Sequence, residues 1–153
     1  MKNTVLVTGG TGYIGSHTAV ELINEGFDVV IIDNLSNSEI SVLDGIEGIT
    51  GYRPEFHQID LKDKDALTQF FQKHPSIDSI IHFAAYKAVG ESTAEPLKYY
   101  RNNVLSTMHL LESMELFNVP QIVFSSSCTV YGQPDKLPVD EDAPIKPPLS
   151  PYG

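Results

Sequence analysis

The segment Thr8-Gly9-Gly10-Thr11-Gly12-Tyr13-Ile14-Gly15 has the residue types of a phosphate cradle. One glycine permits a tight turn, another lets the backbone approach a pyrophosphate, and the last lets helix and strand pack closely. The segment follows the apolar run Val5-Leu6-Val7 and precedes a helical pattern. The unpaired N–H groups and partial positive charge of a helix tip would therefore face the phosphates. Asp33 follows, 18 positions beyond Gly15. Its carboxylate can accept hydrogen bonds from an adenosine ribose, and it repels a 2′-phosphate by roughly 1–4 kcal/mol per charge pair. The chemistry indicated is dinucleotide binding, with NAD favoured over NADP. Asp60-Leu61, closing a third strand-like run, lies beside the adenine in the same topology.

Those residues need a scaffold, and the hydropathy pattern supplies one. Thr4–Val7, Asp28–Asp33, Glu55–Asp60, Ser79–Ala84 and Gln121–Ser125 read as strands. Val29-Val30-Ile31-Ile32 is continuously apolar, as in a parallel strand covered on both faces. Ile14–Asn24, roughly Glu39–Ile46, Asp65–Lys73 and Leu97–Phe117 read as helices. In the last, Leu97, Tyr100, Val104, Met108, Leu111 and Met114 recur every three or four residues, which predicts one apolar face. Asn118-Val119-Pro120 stops it. Strands alternating with helices predict an α/β fold, a Rossmann-like doubly wound parallel sheet of order 3-2-1-4-5. Residues 1–132 form its NAD-binding domain. Residues 133–153 form a loop that holds six of the ten prolines.

Composition narrows the partners. Twenty acidic against ten basic residues give a formal charge of −10, which argues against nucleic acid or an anionic membrane. No apolar run approaches the ~18 residues that span a bilayer, and Val5-Leu6-Val7 is too short for a signal-peptide core. With a single cysteine, Cys128, the expectation is a cytoplasmic protein in a reducing compartment. Cys128 reads as a small buried apolar residue and His82 as a core histidine inside a strand. The histidines (His17, His57, His74, His82, His109) lie at least eight positions apart, so sequence spacing offers no metal site.

Taken in order along the whole chain, several motifs resemble the UDP-glucose 4-epimerase (UDP-galactose 4-epimerase) branch of the extended short-chain dehydrogenase/reductase family. They are Thr8–Gly15, Asp33–Ser38, His82–Ser92, Ser125–Gly132 and Ser150–Gly153. The resemblance implies that the chain is the N-terminal, NAD-binding part of a protein about twice as long, truncated before its catalytic helix and substrate domain. It places NAD contacts on Gly9, Gly12, Tyr13, Ile14, Gly15, Asp33, Asn34, Leu35, Ser36, Asn37, Ser38, Asp60, Leu61, Phe83, Ala84, Ala85, Tyr86, Lys87 and Asn102. It also implies that Ser127 and Tyr152 are catalytic and bind the substrate. The implied reaction interconverts C4 epimers of a UDP-hexose through a transient NADH and a 4-keto sugar, in a homodimeric parent.

The resemblance carries two departures. Ala85 and Ser106 stand where the family has glycine, and alanine fits only where φ is not positive. The family's lysine four residues after the tyrosine, which would help ionise a phenol of ordinary pKa near 10, would fall at position 156, so the 153-residue chain alone is expected to lack epimerase activity. Strand five is expected to be an unprotected hydrophobic edge. A 4,6-dehydratase needs an Asp-Glu pair where Cys128 and Thr129 stand. An epimerase or decarboxylase for another UDP-sugar, or a non-catalytic NAD-binding module, are the other readings.

Overall fold

The computed structural model describes residues 3–153. They divide into two units, the first made of residues 3–84 and 106–125, the second of residues 85–105 and 126–153.

The first unit is built on five strands: β1 (Thr4–Thr8), β2 (Asp28–Asp33), β3 (Glu55–Gln58), β4 (Ile77–His82) and β5 (Gln121–Phe124). All pair in parallel, in the order β3-β2-β1-β4-β5, as the sequence pattern predicts. The register sets Thr8 opposite Ile32 and His82. Strand alternation sends side chains to both faces. Val5, Val7, Val29 and Ile31 pack with Ala19 of α1 (Tyr13–Asn24) and with Leu43 and Ile46 of α2 (Val42–Thr50). Leu6, Val30, Ile32 and Ile80 pack with Leu67, Phe70 and Phe71 of α3 (Lys64–Lys73). Leu110 and Met114 of α6 (Ser106–Phe117) complete that second core. Burial on both faces explains the unbroken apolar run of β2.

The ladder continues one residue past several strand ends. Ile59 N–H donates to Asp33 O (3.2 Å), Phe83 N–H to Thr8 O (3.0 Å) and Ser125 N–H to His82 O (3.1 Å). These bonds carry the chain into the carboxyl ends of the strands, where open α/β sheets hold ligands.

Helix α6 departs from its expected face. Ser106, Leu110, Ser113 and Met114 are buried, whereas Met108 and Leu111 are exposed. Small serines let the helix approach its neighbours closely, and the Ser113 hydroxyl is satisfied by the His109 carbonyl at 2.8 Å. Asn118 ends the helix in left-handed backbone (φ +57°), and Val119 N–H donates to Met114 O at 2.9 Å.

The second unit contains α4 (Val89–Ala94), α5 (Pro96–Tyr99) and a π-helical turn, Tyr100–Leu105. There Tyr99 and Asn102 are buried while Leu97, Tyr100 and Val104 are exposed. The wide turn rotates the register that a 3.6-residue period assumes, and of the expected stripe Met114 alone reaches the core. Residues past Gly132 are turns and extended chain.

Candidate functional site

The turn between β1 and α1 depends on missing side chains. Gly9 has φ +71°, and a Cβ on it would lie 2.7 Å from the Ala84 nitrogen. A Cβ on Gly15 would run into the Gly9 carbonyl oxygen. Gly9 N–H donates to Ile32 O (2.8 Å) and Gly12 N–H to Gly9 O (3.1 Å), which fixes the loop against β2. Gly12 caps α1 with extended backbone, with no side chain bonded to the first N–H groups and no acidic residue in the first turn. Tyr13 and Ile14 hold their side chains out into solvent at this tip. A bare, positive helix end reached through a glycine bend suits an anion such as a pyrophosphate.

Asp33, at the end of β2, organises the neighbouring loop. Its Oδ2 accepts from Thr11 N–H (3.2 Å), and its Oδ1 accepts from Leu35 N–H (2.9 Å) and the Ser38 hydroxyl (3.2 Å). Thr11 and Ser38 hydroxyls meet at 2.8 Å. A carboxylate has about four acceptor positions, so one stays open for a ribose hydroxyl. Leu35 takes φ +57°, a strained conformation for a branched residue, held by the Asx turn from Asp33. Ser36 and Asn37 are exposed beyond it. Asn34 reaches across to Asp60, whose Oδ2 accepts from the Asn34 amide at 3.3 Å. Asp60 also accepts from Lys62 N–H (2.9 Å), and Leu61 is buried.

Phe83 and Ala84 leave β4 partly buried. Beneath them His82 is sealed in the sheet, with Nδ1 2.6 Å from the Thr8 hydroxyl and Nε2 3.1 Å from the Thr107 hydroxyl. Burial pushes its pKa down to about 4, so it is neutral at pH 7.

In the second unit, Ala85 and Lys87 are exposed. Tyr86 is clamped by Asn103, which accepts from Tyr86 N–H (2.9 Å) and donates to Tyr86 O (2.8 Å). Asn102 donates to the same Asn103 oxygen at 3.0 Å. The π-helical turn thus presents the Asn103 amide to the Tyr86 backbone, with the Asn102 amide bonded to it. Ser127 Oγ accepts from Thr129 N–H (3.3 Å) and the Thr129 hydroxyl (2.9 Å), capping the short turn Cys128–Tyr131. Tyr152 lies in a turn and its N–H donates to the Ser92 hydroxyl at 3.2 Å.

The model of the NAD dependent epimerase/dehydratase family matches residues 5–153. The chain belongs to that family. Among curated members, it is 54% identical over 153 residues to a UDP-glucose 4-epimerase of Neisseria meningitidis serogroup A, covering 100% of this chain and 44% of the relative. It is 52% identical over 149 residues to that of Bacillus subtilis, covering 97% and 43%. The chain therefore spans less than half the length of these relatives. Among solved structures, the UDP-glucose 4-epimerase of Bifidobacterium longum in complex with NAD+ and UDP superposes with a TM-score of 0.94 at 47% identity, covering 98% of this chain and 44% of that one. The enzyme of Stenotrophomonas maltophila, with bound NAD and formylated UDP-arabinopyranose, gives 0.92 at 47% identity, covering 99% and 44%.

Within this epimerase/dehydratase chain, one local expectation changes and one is met. Cys128 is exposed and not buried, because it lies in the loop beyond β5. Ala85 needs no glycine, since Leu35 and Asn118 are the positive-φ non-glycines among the described residues. Sequence reasoning passed over Thr11 and Asn103, the residues that tie Asp33 to the turn and hold Tyr86. Polar residues beside named motif positions (Gly-Thr-Gly, Asn-Asn) were the available signal.

Proposed function

We propose that this chain is the NAD-binding portion of an enzyme that interconverts the C4 epimers of a UDP-hexose. The observation that carries this reading is the union of a bare helix tip with Asp33 through the Thr11 N–H. In this assignment residues 1–132 hold the cofactor and residues 133–153 lead to Tyr152. The N–H groups at Tyr13 and Ile14 hold the pyrophosphate, while Asp33 and the Asn34–Ser38 loop take the adenosine ribose. Asp60 and Leu61 flank the adenine. Phe83 and Ala84 of the first unit, and Ala85, Tyr86, Lys87 and Asn102 of the second, are the further NAD contacts in this assignment. NAD, when bound, supplies a hydride acceptor for C4 of the sugar.

Tyr152 takes the proton from the 4-hydroxyl as that carbon becomes a ketone, and the Ser127 hydroxyl holds the same oxygen in place. The UDP-glucose 4-epimerase names of the relatives and the NAD and UDP ligands of the solved neighbours support this choice of substrate class. The same reading includes a homodimer, for which the exposed Met108, Leu111 and Leu116 of α6 suit a subunit contact.

The test is the full-length protein carrying this chain, with Tyr152→Phe. Heat-released NAD should match the unaltered protein, while UDP-galactose turnover should fall by roughly 10²–10⁴-fold. Absence of NAD from the unaltered protein, or an unimpaired variant, would overturn the assignment.

A further inference from the structure

Far from the glycine turn, the fold gathers three side chains that the sequence keeps apart. Glu55 and His57 sit two residues apart on β3 and so share one face of this edge strand. His74 is the residue at which α3 ends. Glu55 Oε1 lies 2.7 Å from His57 Nε2 and 2.9 Å from His74 Nε2. One ligating atom from each residue fits within 4.8 Å of the others.

The hydrogen bonds at His74 turn its Nε2 toward the Glu55 carboxylate. Its Nδ1 lies 2.7 Å from the Phe70 carbonyl oxygen, which can only accept, so Nδ1 carries a proton. In the neutral ring Nε2 then offers a lone pair, and that lone pair faces a carboxylate oxygen. One such lone pair, a second imidazole nitrogen from His57 and the Glu55 oxygen, all within 4.8 Å of one another, form a donor set that one metal ion can share.

The rings are also held in place. His74 stacks on Phe70 with centroids 4.2 Å apart, and His57 packs edge-on against both Phe70 (5.0 Å) and His74 (4.8 Å). A carbonyl bonded to the far nitrogen is the usual support for a ligating histidine.

We propose that Glu55, His57 and His74 form a binding site for one divalent transition-metal ion of the zinc type. Two imidazoles and one carboxylate exclude magnesium and calcium as preferred occupants, since those take oxygen ligands. Metal–ligand bonds of about 2.0–2.1 Å in a tetrahedron place ligand atoms about 3.3 Å apart, so the Glu55 contacts open by only about half an ångström. Glu55 is solvent-exposed, which leaves the fourth position to water. Glu55 opens β3, whereas Asp33 ends β2 and Asp60 follows β3, at the opposite, carboxyl end of the strands. The ion would therefore staple the edge strand to α3 and stand apart from hydride chemistry.

The test is calorimetric titration of the EDTA-stripped full chain with zinc chloride, repeated with cobalt chloride to read the intense visible absorption of tetrahedral Co²⁺. One saturable site per chain is expected. His57→Gln and His74→Gln should each weaken it at least tenfold, and the double variant should abolish it, while His17→Gln leaves it unchanged. Zinc should raise the melting temperature of the unaltered chain and not that of the double variant, whose circular dichroism should match the unaltered protein. No stoichiometric binding, or binding that survives in a folded double variant, overturns the proposal.

Discussion

Asp33 shows how one carboxylate serves scaffold and ligand at once. It accepts from Thr11 N–H, Leu35 N–H and the Ser38 hydroxyl, so Asp33→Ala strands three donors at the rim of the turn. Water can reach part of this loop, so the stability cost is expected at the low end of roughly 1–3 kcal/mol, measurable by urea unfolding. NAD affinity should fall further than stability does, and the preference over NADP should narrow, because the repulsion of a 2′-phosphate is gone. An unchanged NAD/NADP ratio would place the ribose elsewhere. His82 gives a second residue-scale expectation. It is 3% exposed and its pKa is lowered to about 4, so the folded chain resists a proton that the unfolded chain binds near pH 6.5. Above pH 6.5 the group contributes nothing to the pH dependence. Stability declines as pH falls from 6.5 to about 4, by up to roughly 3 kcal/mol, and is flat below. His82→Gln, which can still bridge Thr8 and Thr107, should flatten that slope in denaturant melts between pH 4 and 6.5.

At the scale of elements, the π-helical turn decides what the loop after β4 can do. Asn103 donates to and accepts from the Tyr86 backbone, so Asn103→Ala frees both groups. The Tyr86 amide should then lose hydrogen-exchange protection at least tenfold while the amides of β1 and β2 keep theirs. Equal loss in both places would mean general destabilisation. The sequence shows β2 at its true bounds, Asp28–Asp33, because an unbroken apolar run with acidic ends has only one place to sit in a two-faced sheet. It also shows the strand order and the glycine turn, whose residue types are each demanded by local geometry. Helix α2 lies at Val42–Thr50, later than the expected Glu39–Ile46, since Ser41 and Asp44 leave the entry point of that helix loosely marked. Helix α4, six residues without an apolar period, left no signal at all. The Leu97–Phe117 stretch is helical throughout, yet of its apolar stripe Met114 alone is buried, because a π turn adds residues that periodicity cannot count. Glu55, His57 and His74 meet only through tertiary folding, and separation along the chain hides such a cluster.

For the molecule as a whole, two long-range properties oppose each other. The formal charge of −10 keeps copies of this chain apart. Strand β5, at one edge of the sheet, is expected to draw them together: Val123 and Phe124 are 62% and 56% exposed, and the outer backbone groups of an edge strand can pair with another chain. Charge repulsion reaches only as far as the Debye length, about 10 Å at 0.1 M salt and about 3 Å at 1 M. Apolar contact and strand pairing act at shorter range and are not screened. The 153-residue chain should therefore self-associate more, not less, as salt rises. Val123→Lys adds a charge to the edge itself, where it opposes pairing by desolvation as well as by repulsion, and should shift the onset of this salt-driven association to higher salt. Static light scattering across 0.05–1 M sodium chloride, roughly the range over which screening sets in, reads both outcomes. Association that declines with salt would show that opposite charges, and not the β5 edge, join the copies.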